Sequence, residues 1–121
     1  MAVSSRLMVW QLAMDLAVEV HRLSEQLPTR HRLGLADQLA RAASSVPANI
    51  AEGNARHYRR DYLHFLVIAR GSLAELLTHL ELARRLELLS GQDFDHLAQL
   101  HERVSRMLTR LIQSLQSGTT K

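Results

Sequence analysis

The densest group of chemistry-bearing side chains is Arg56-His57-Tyr58-Arg59-Arg60: three guanidinium groups, an imidazole and a phenol within five residues. Guanidinium groups at that density suit phosphate, because each planar fork of N–H donors can meet two anionic oxygens at once. The surrounding charge is one-sided: between Pro28 and Arg60 stand Arg30, Arg32, Arg41, Arg56, Arg59 and Arg60 against only Asp37 and Glu52. The chain as a whole carries a formal net charge of +3, and Lys121 is its only lysine. Such a distribution points to polyanion contacts that weaken with salt and ignore base sequence. Arg56, Arg59, Arg60 and, on the same reasoning, Arg41 are the candidate nucleic-acid-binding residues. The competing reading of the cluster is a solvated loop followed by a first helical turn.

Other chemistries find little support. The absence of cysteine excludes disulfides, thiolate zinc ligands and thiol nucleophiles together. There is no glycine-rich phosphate loop, no GxSxG and no HExxH. Among the seven histidines, His79 shares a helical face with Glu75, and His57 and His64 lie two turns apart. Neither arrangement matches the paired Glu-x-x-His motifs of di-iron bundles. No metal site, cofactor or catalytic residue is therefore assigned. Arg59 and His64 fit the loose R-x4-H spacing of helical-bundle ribonucleases, a match expected by accident in a chain this rich in arginine and histidine. A ribonuclease is the remote alternative.

The elements that must position these groups are helical. The 3.6-residue period recurs almost throughout and period-2 alternation is absent. The pattern predicts four helices at about 6–27, 33–53, 58–89 and 93–117, with Ser90 to Asp93 forming a capping box. Short loops make sequential helices antiparallel, an all-α up-down-up-down four-helix bundle. At 121 residues the chain forms one domain over 1–121, with disordered termini at about 1–5 and 118–121. No run of eighteen apolar residues and no secretory leader are evident, which predicts a cytoplasmic protein with no membrane partner.

The stretch SSVPANIAEGNAR, Ser44 to Arg56, interrupts this helix-former text. As a helix it aligns Gln38, Arg41, Ser45, Asn49 and Glu52 in one polar row. Pro47 lacks an N–H, so the second helix should kink, with Ser44, Ser45 and Asn49 bonding the freed Ala43 carbonyl. Gly53 should end that helix in the left-handed conformation. Folding the third helix back about a turn near residue 56 pairs Arg41 with Arg70 or Gly71. Gly71, in mid-helix, should mark a close backbone approach. Arg70, inside an apolar run, must reach solvent or find an acceptor in Glu75, Glu52, Ser45 or a ligand's phosphate. Ser45, Pro47, Asn49, Glu52, Gly53, Arg70 and Gly71 thus read as a structural or interface motif. Trp10, Tyr62 and Phe65 read as core or interface. The third segment is apolar almost all round at Tyr62 to Ala69, which predicts that a second chain covers it.

These stretches together, VWQLAMDLA, GLADQLARAASSVPANIAEGNAR and DYLHFLVIARGSLAELLTHLELA, closely resemble the family of 23S ribosomal RNA intervening-sequence proteins, also labelled S23. The resemblance covers roughly 8–115 and rests on two blocks: Arg41-Ala42 through Gly53 and Arg56, and Ala69-Arg70-Gly71-Ser72-Leu73. It implies a four-helix bundle assembled as a ring-shaped homopentamer with a basic central channel. It also implies kinship with the accessory variability determinant of diversity-generating retroelements, which binds nucleic acid and a reverse transcriptase. One departure stands out: Tyr58 replaces the small hydroxyl residue that usually caps the third helix. The leading expectation is a non-enzymatic homo-oligomer, self-associating and binding RNA or DNA. The alternative is a protein–protein scaffold that binds no nucleic acid.

Overall fold

The computed structural model describes residues 3–118, the side chains of 3–5, 32 and 33 excepted. Four helices form: α1 Val3–Gln26, α2 Asp37–Asn54, α3 Arg59–Arg85 and α4 Gly91–Gln116. Each packs against the next and α4 closes back onto α1, giving the expected antiparallel bundle; α2 and α3 share the largest interface. Of the termini expected to be disordered, residues 1, 2 and 119–121 lie outside the described residues, whereas Val3 already belongs to α1.

The core shows why the helices pair as they do. The seam of α1 runs through Val9, Ala13, Leu16, Val20 and Leu23 and continues to Leu27 just past its end, spaced alternately four and three apart. The same alternation runs through Leu39, Ala43, Val46, Ile50 and Gly53 on α2, and Leu97, His101, Val104, Leu108, Leu111 and Leu115 on α4. On α3 it runs from Tyr62 through Leu66, Ala69, Leu73, Leu76 and Leu80 to Ala83. A repeat of 3.5 residues is slightly shorter than the helical turn, so the seam stays facing inward only if the helices coil left-handedly around each other. Leu66, Leu73, Leu76 and Leu80 are each no more than 1% exposed. Each such leucine contributes about 1.5–3 kcal/mol of burial.

Helix boundaries depart from the sequence expectations for identifiable reasons. The second helix is entered through a single 3-10 turn, Thr29–His31, and a π-helical turn, Arg32–Ala36, that runs directly into α2. The third helix stops at Arg85 rather than 89. The Leu88 amide donates to the Ala83 carbonyl at 2.9 Å and the Glu87 amide to the Arg84 carbonyl at 3.0 Å. That pair of bonds is the Schellman closure, and Glu87 occupies its left-handed position with φ of 61°. At the start of α4, Ser90 Oγ accepts from the Asp93 amide at 3.0 Å, so the predicted cap is made.

Gly53 does not end α2. It is buried within the helix, which continues to Asn54, and Ala55 follows with φ of −82°. Its role is spatial: a Cβ there would lie 2.9 Å from Tyr62 Cδ1, 3.0 Å from Phe65 Cβ and 3.1 Å from the Tyr62 carbonyl oxygen. Gly71, assigned to a close approach, is exposed and a Cβ would meet nothing within 4 Å. The α2–α3 register differs accordingly. Ser45 bonds Ser72, which places Arg41 level with Leu76 rather than with Arg70 or Gly71. The turn lies further along the chain than expected because α2 runs past Gly53 and α3 begins only at Arg59.

Helix α2 passes unbroken through the buried Pro47. The side chains assigned to the Ala43 carbonyl are used elsewhere. Ser44 Oγ lies 3.3 Å from His21 Nε2, while Asn49 donates to the Ser45 carbonyl oxygen at 2.8 Å and to Ser45 Oγ at 2.9 Å. By length and composition α3 would pass as a membrane span, with an 18-residue window of mean hydropathy 1.2. In the bundle its apolar stripe is packed against α2 and α4, and Arg70 and Glu75 interrupt its outer face.

Candidate functional site at the arginine-rich end of the bundle

The start of α1, the end of α2, the start of α3 and the end of α4 meet at one end of the bundle, because alternate helices reverse direction. The predicted cluster falls here, and each arginine has a different environment. Arg56 pairs with Glu52 one turn back, and its guanidinium carbon stacks 4.7 Å from the centre of the Phe65 ring. Arg59 Nη1 donates to the Leu115 carbonyl at 3.5 Å, at the C-terminal end of α4 where carbonyls lack helical partners. Arg60 is exposed and bonds no described residue. A cleft of about 430 Å³ opens between them, lined by Arg56, His57, Tyr58 and Arg59 and also by Arg6, Asn54, Tyr62 and Leu115.

Three features of the cleft follow from the local sequence. Tyr58 is extended, with φ of −108° and ψ of 143°, but its phenol cannot fold back as a serine would, so no side chain caps α3. The amides of the first turn keep their orphan donors, and Asp61 is the only acidic side chain in that turn. Tyr62 is 6% exposed, and neither its hydroxyl nor the Arg6 Nε has a hydrogen-bond partner among the described residues. The Arg6 guanidinium lies over the Tyr62 ring, 5.2 Å from its centre. Burial pushes the Tyr62 phenol above its ordinary pKa, a rise that the Arg6 charge partly offsets.

The remaining predicted residues are not brought to this end. Arg41 is exposed near the opposite end, paired to Asp37 at 3.0 Å, and the helix from there to Asn54 sets it roughly 20 Å along the axis from the end that carries Arg56. It is not part of the patch. Ser45 bonds Ser72 of α3 and Asn49 bonds Ser45; Glu52 is taken by Arg56. Arg70 is exposed without a described partner, so of the alternatives open to it, it reaches solvent and pairs with neither Glu75 nor Glu52. Arg59 and His64, five residues apart, project about 140° apart around α3 and form no common site. Glu75 and His79 pair at 3.4 Å, and no group of three or more metal-ligating side chains occurs among the described residues.

Two groups of residues escaped the sequence reading. Arg103, Arg106 and Arg110 form one exposed stripe on α4, and none has an acidic partner among the described residues. Their spacing of three and four was the signal. By contrast Glu81 holds both Arg84 and Arg85; hydrogen bonds from Arg84 and then Arg85 hold its carboxyl down to about 2. His101 occupies a core position of α4, and its Nε2 lies 2.6 Å from the Leu73 carbonyl of α3. A carbonyl can only accept, so the proton resides on Nε2. On the opposite flank, an apolar groove of about 470 Å³ runs between α1 and α2, lined by Trp10, Met14, Val18, Pro47 and Ala51 among others.

The family profile described as 23S rRNA-intervening sequence protein matches residues 5–110. Among solved structures, a protein of unknown function from the S23 ribosomal protein family of Bacteroides thetaiotaomicron superposes with a TM-score of 0.85. It shares 23% sequence identity, and the match covers 90% of this chain and 98% of that one. At that identity the likeness shows the shared fold. No curated protein matches the chain.

Proposed function

The chain belongs to the 23S rRNA-intervening sequence protein family, and we propose that it acts as a non-enzymatic homo-oligomer that holds nucleic acid on its arginine-rich surfaces. The observation that carries this reading is the split among its arginines. Arg41 and Arg56 are each paired with a carboxylate of α2, and Arg84 and Arg85 share the carboxylate of Glu81. Arg60 and the Arg103, Arg106, Arg110 stripe are exposed and have no such partner. Guanidinium groups left unpaired in rows are suited to phosphates, whose contacts position a strand without reading its bases.

Self-association is supported by apolar surface that the isolated bundle leaves open. Leu7, Met8, Met14 and Val18 on α1, and Val67, Ile68 and Leu77 on α3, are each at least 36% exposed. Two distinct apolar faces on one protomer suit a head-to-tail contact, and such contacts form a ring where the rotation between neighbours closes. The pentamer implied by the resemblance is a ring of this kind, and it would repeat each basic stripe around its axis. Light scattering after size exclusion, followed by titration with labelled RNA and DNA at two salt concentrations, tests both parts. A five-subunit mass with binding that weakens as salt rises supports the proposal. An oligomer that ignores nucleic acid would leave the scaffold alternative, with the α1–α2 groove as its docking surface. A monomer would refute the assembly.

A further inference from the structure

We propose that the cleft at the head of the bundle is a binding site for a terminal phosphate attached to a nucleoside, carried by a strand end or by a free mononucleotide. For the strand end this rests on the nucleic-acid reading above; for the mononucleotide it stands alone. Four observations converge on it. All four helices contribute lining residues, from Arg6 on α1 to Leu115 on α4, so the cleft is walled on its sides. A mid-strand phosphodiester must enter and leave such a site, whereas a terminal phosphate only enters. The cleft contains the uncapped start of a 27-residue helix, whose first amides and positive dipole end attract an anion.

The third observation is independent of the helix end. The buried Tyr62 hydroxyl and Arg6 Nε are both without partners among the described residues, and both side chains line the cleft. Two unmatched donors on side chains that line one cleft call for an acceptor there, and a phosphate monoester offers three strongly accepting oxygens with a charge of about −1.5 to −2. Arg59, held by the end of α4, and His57 complete the basic wall. The nearby carboxylate of Glu52 is already engaged by Arg56. Fourth, a second cavity of about 520 Å³ adjoins the cleft and shares Arg6, Asn54 and Tyr62 with it. Its remaining lining is Leu7, Trp10, Ile50 and Ala51, an apolar shelf with an indole. A phosphate in the basic half thus has an apolar compartment beside it for a base. Cavities of this size match those that take small ligands.

Trp10 is the only tryptophan, so intrinsic fluorescence reports directly on the shelf. The full chain is titrated with adenosine 5′-monophosphate, with adenosine, and with one short oligonucleotide bearing either a 5′-phosphate or a 5′-hydroxyl. The expected result is at least tenfold tighter binding of each phosphorylated probe than of its partner. Tyr62→Phe, which keeps the ring and removes only the hydroxyl, and Arg6→Ala should each bring that ratio towards one. Equal affinities within both pairs overturn the proposal, even where strands bind in a salt-dependent way. A preference for the mononucleotide over adenosine, with neither strand bound, keeps the cleft and refutes the nucleic-acid reading. If Arg6→Ala fails to fold by circular dichroism, Tyr62→Phe decides alone: an unchanged ratio removes the hydroxyl from the site and overturns the assignment.

Discussion

Ser45 of α2 and Ser72 of α3 stand Oγ to Oγ at 2.7 Å, the one side-chain hydrogen bond among those described that joins these two helices. The bond has a direction. Ser72 donates to the Ile68 carbonyl at 3.2 Å, and Asn49 donates to Ser45 Oγ at 2.9 Å. Ser45 is therefore the donor to Ser72, and the four groups form a single relay from Asn49 to the α3 backbone. Small side chains here also let the two backbones approach, as Gly53 does further along.

Breaking the relay at either serine should cost about 1 kcal/mol, the usual net worth of such a bond. Because both substitutions remove the same link, Ser45→Ala combined with Ser72→Ala should cost less than their sum. Urea unfolding of the wild type, both single variants and the double variant measures this. Strict additivity would show that the relay does not couple the helices.

The two helical glycines should respond oppositely to alanine. Gly53→Ala pushes a methyl group against the Tyr62 ring and carbonyl, the latter being backbone that cannot swing aside. A loss of about 1–3 kcal/mol is expected. Gly71→Ala fills open space on an exposed helix face and should stabilise by up to about 1 kcal/mol. Paired thermal melts at equal concentration check the signs.

Acid should expose the Glu81 pairing. Its carboxyl titrates near 2 in the folded chain, below the ordinary 4.5, because Arg84 and Arg85 bond its charged form. A lowered folded pKa gives stability that is present above about pH 4.5 and lost as pH falls towards 2. Glu81 is exposed, so the effect is small. Glu81→Gln should flatten the stability profile within that window and lower stability slightly at neutral pH, where the pairing is fully formed. A profile that keeps its slope places the acid sensitivity elsewhere.

The α4 stripe makes the nucleic-acid reading quantitative. Each phosphate contact contributes a slope of about −0.9 to the dependence of log K on log salt for duplex DNA, and about −0.7 for single strands. Replacing Arg103, Arg106 and Arg110 together with alanine should therefore flatten the slope by up to three such steps. Replacing Arg41, already paired with Asp37, should leave it unaltered. Equal effects of the two changes would mean that the stripe is not the contact surface.

Much of the architecture was legible because it depends on composition along one helix at a time. The apolar stripes, the four helices and the Ser90 cap are local patterns, and local patterns survive folding. What failed required knowing how two helices meet. A glycine near a helix end looks the same whether it supplies a left-handed turn or room for a tyrosine, and Gly53 does the second. Gly71 looked like a contact and faces open space, because the buried seam of α3 runs through Ala69, Ser72 and Leu73 and leaves Gly71 on the outer face. Arg41 and Arg56 are near each other in sequence terms, but the helix between them separates them to different ends. The arginine cluster itself was legible, while Arg6 joined it from the other end of the chain, where no spacing rule could reach.

Seams that repeat every seven residues carry a hazard. Sliding one helix past its neighbour by two turns returns leucine to face leucine, so apolar packing alone separates the native alignment from its displaced copies only weakly. His101 breaks that degeneracy. Its imidazole stands in a row of leucines and finds the Leu73 carbonyl at 2.6 Å, a match available at one alignment of α4 on α3. The relay of Ser45 and Ser72 fixes α2 on α3 in the same way. In a displaced bundle both would bury polar atoms without partners, which widens the energy gap between the native arrangement and its nearest competitors. Polar groups set among the leucines thus select which bundle forms, whatever they add to its strength.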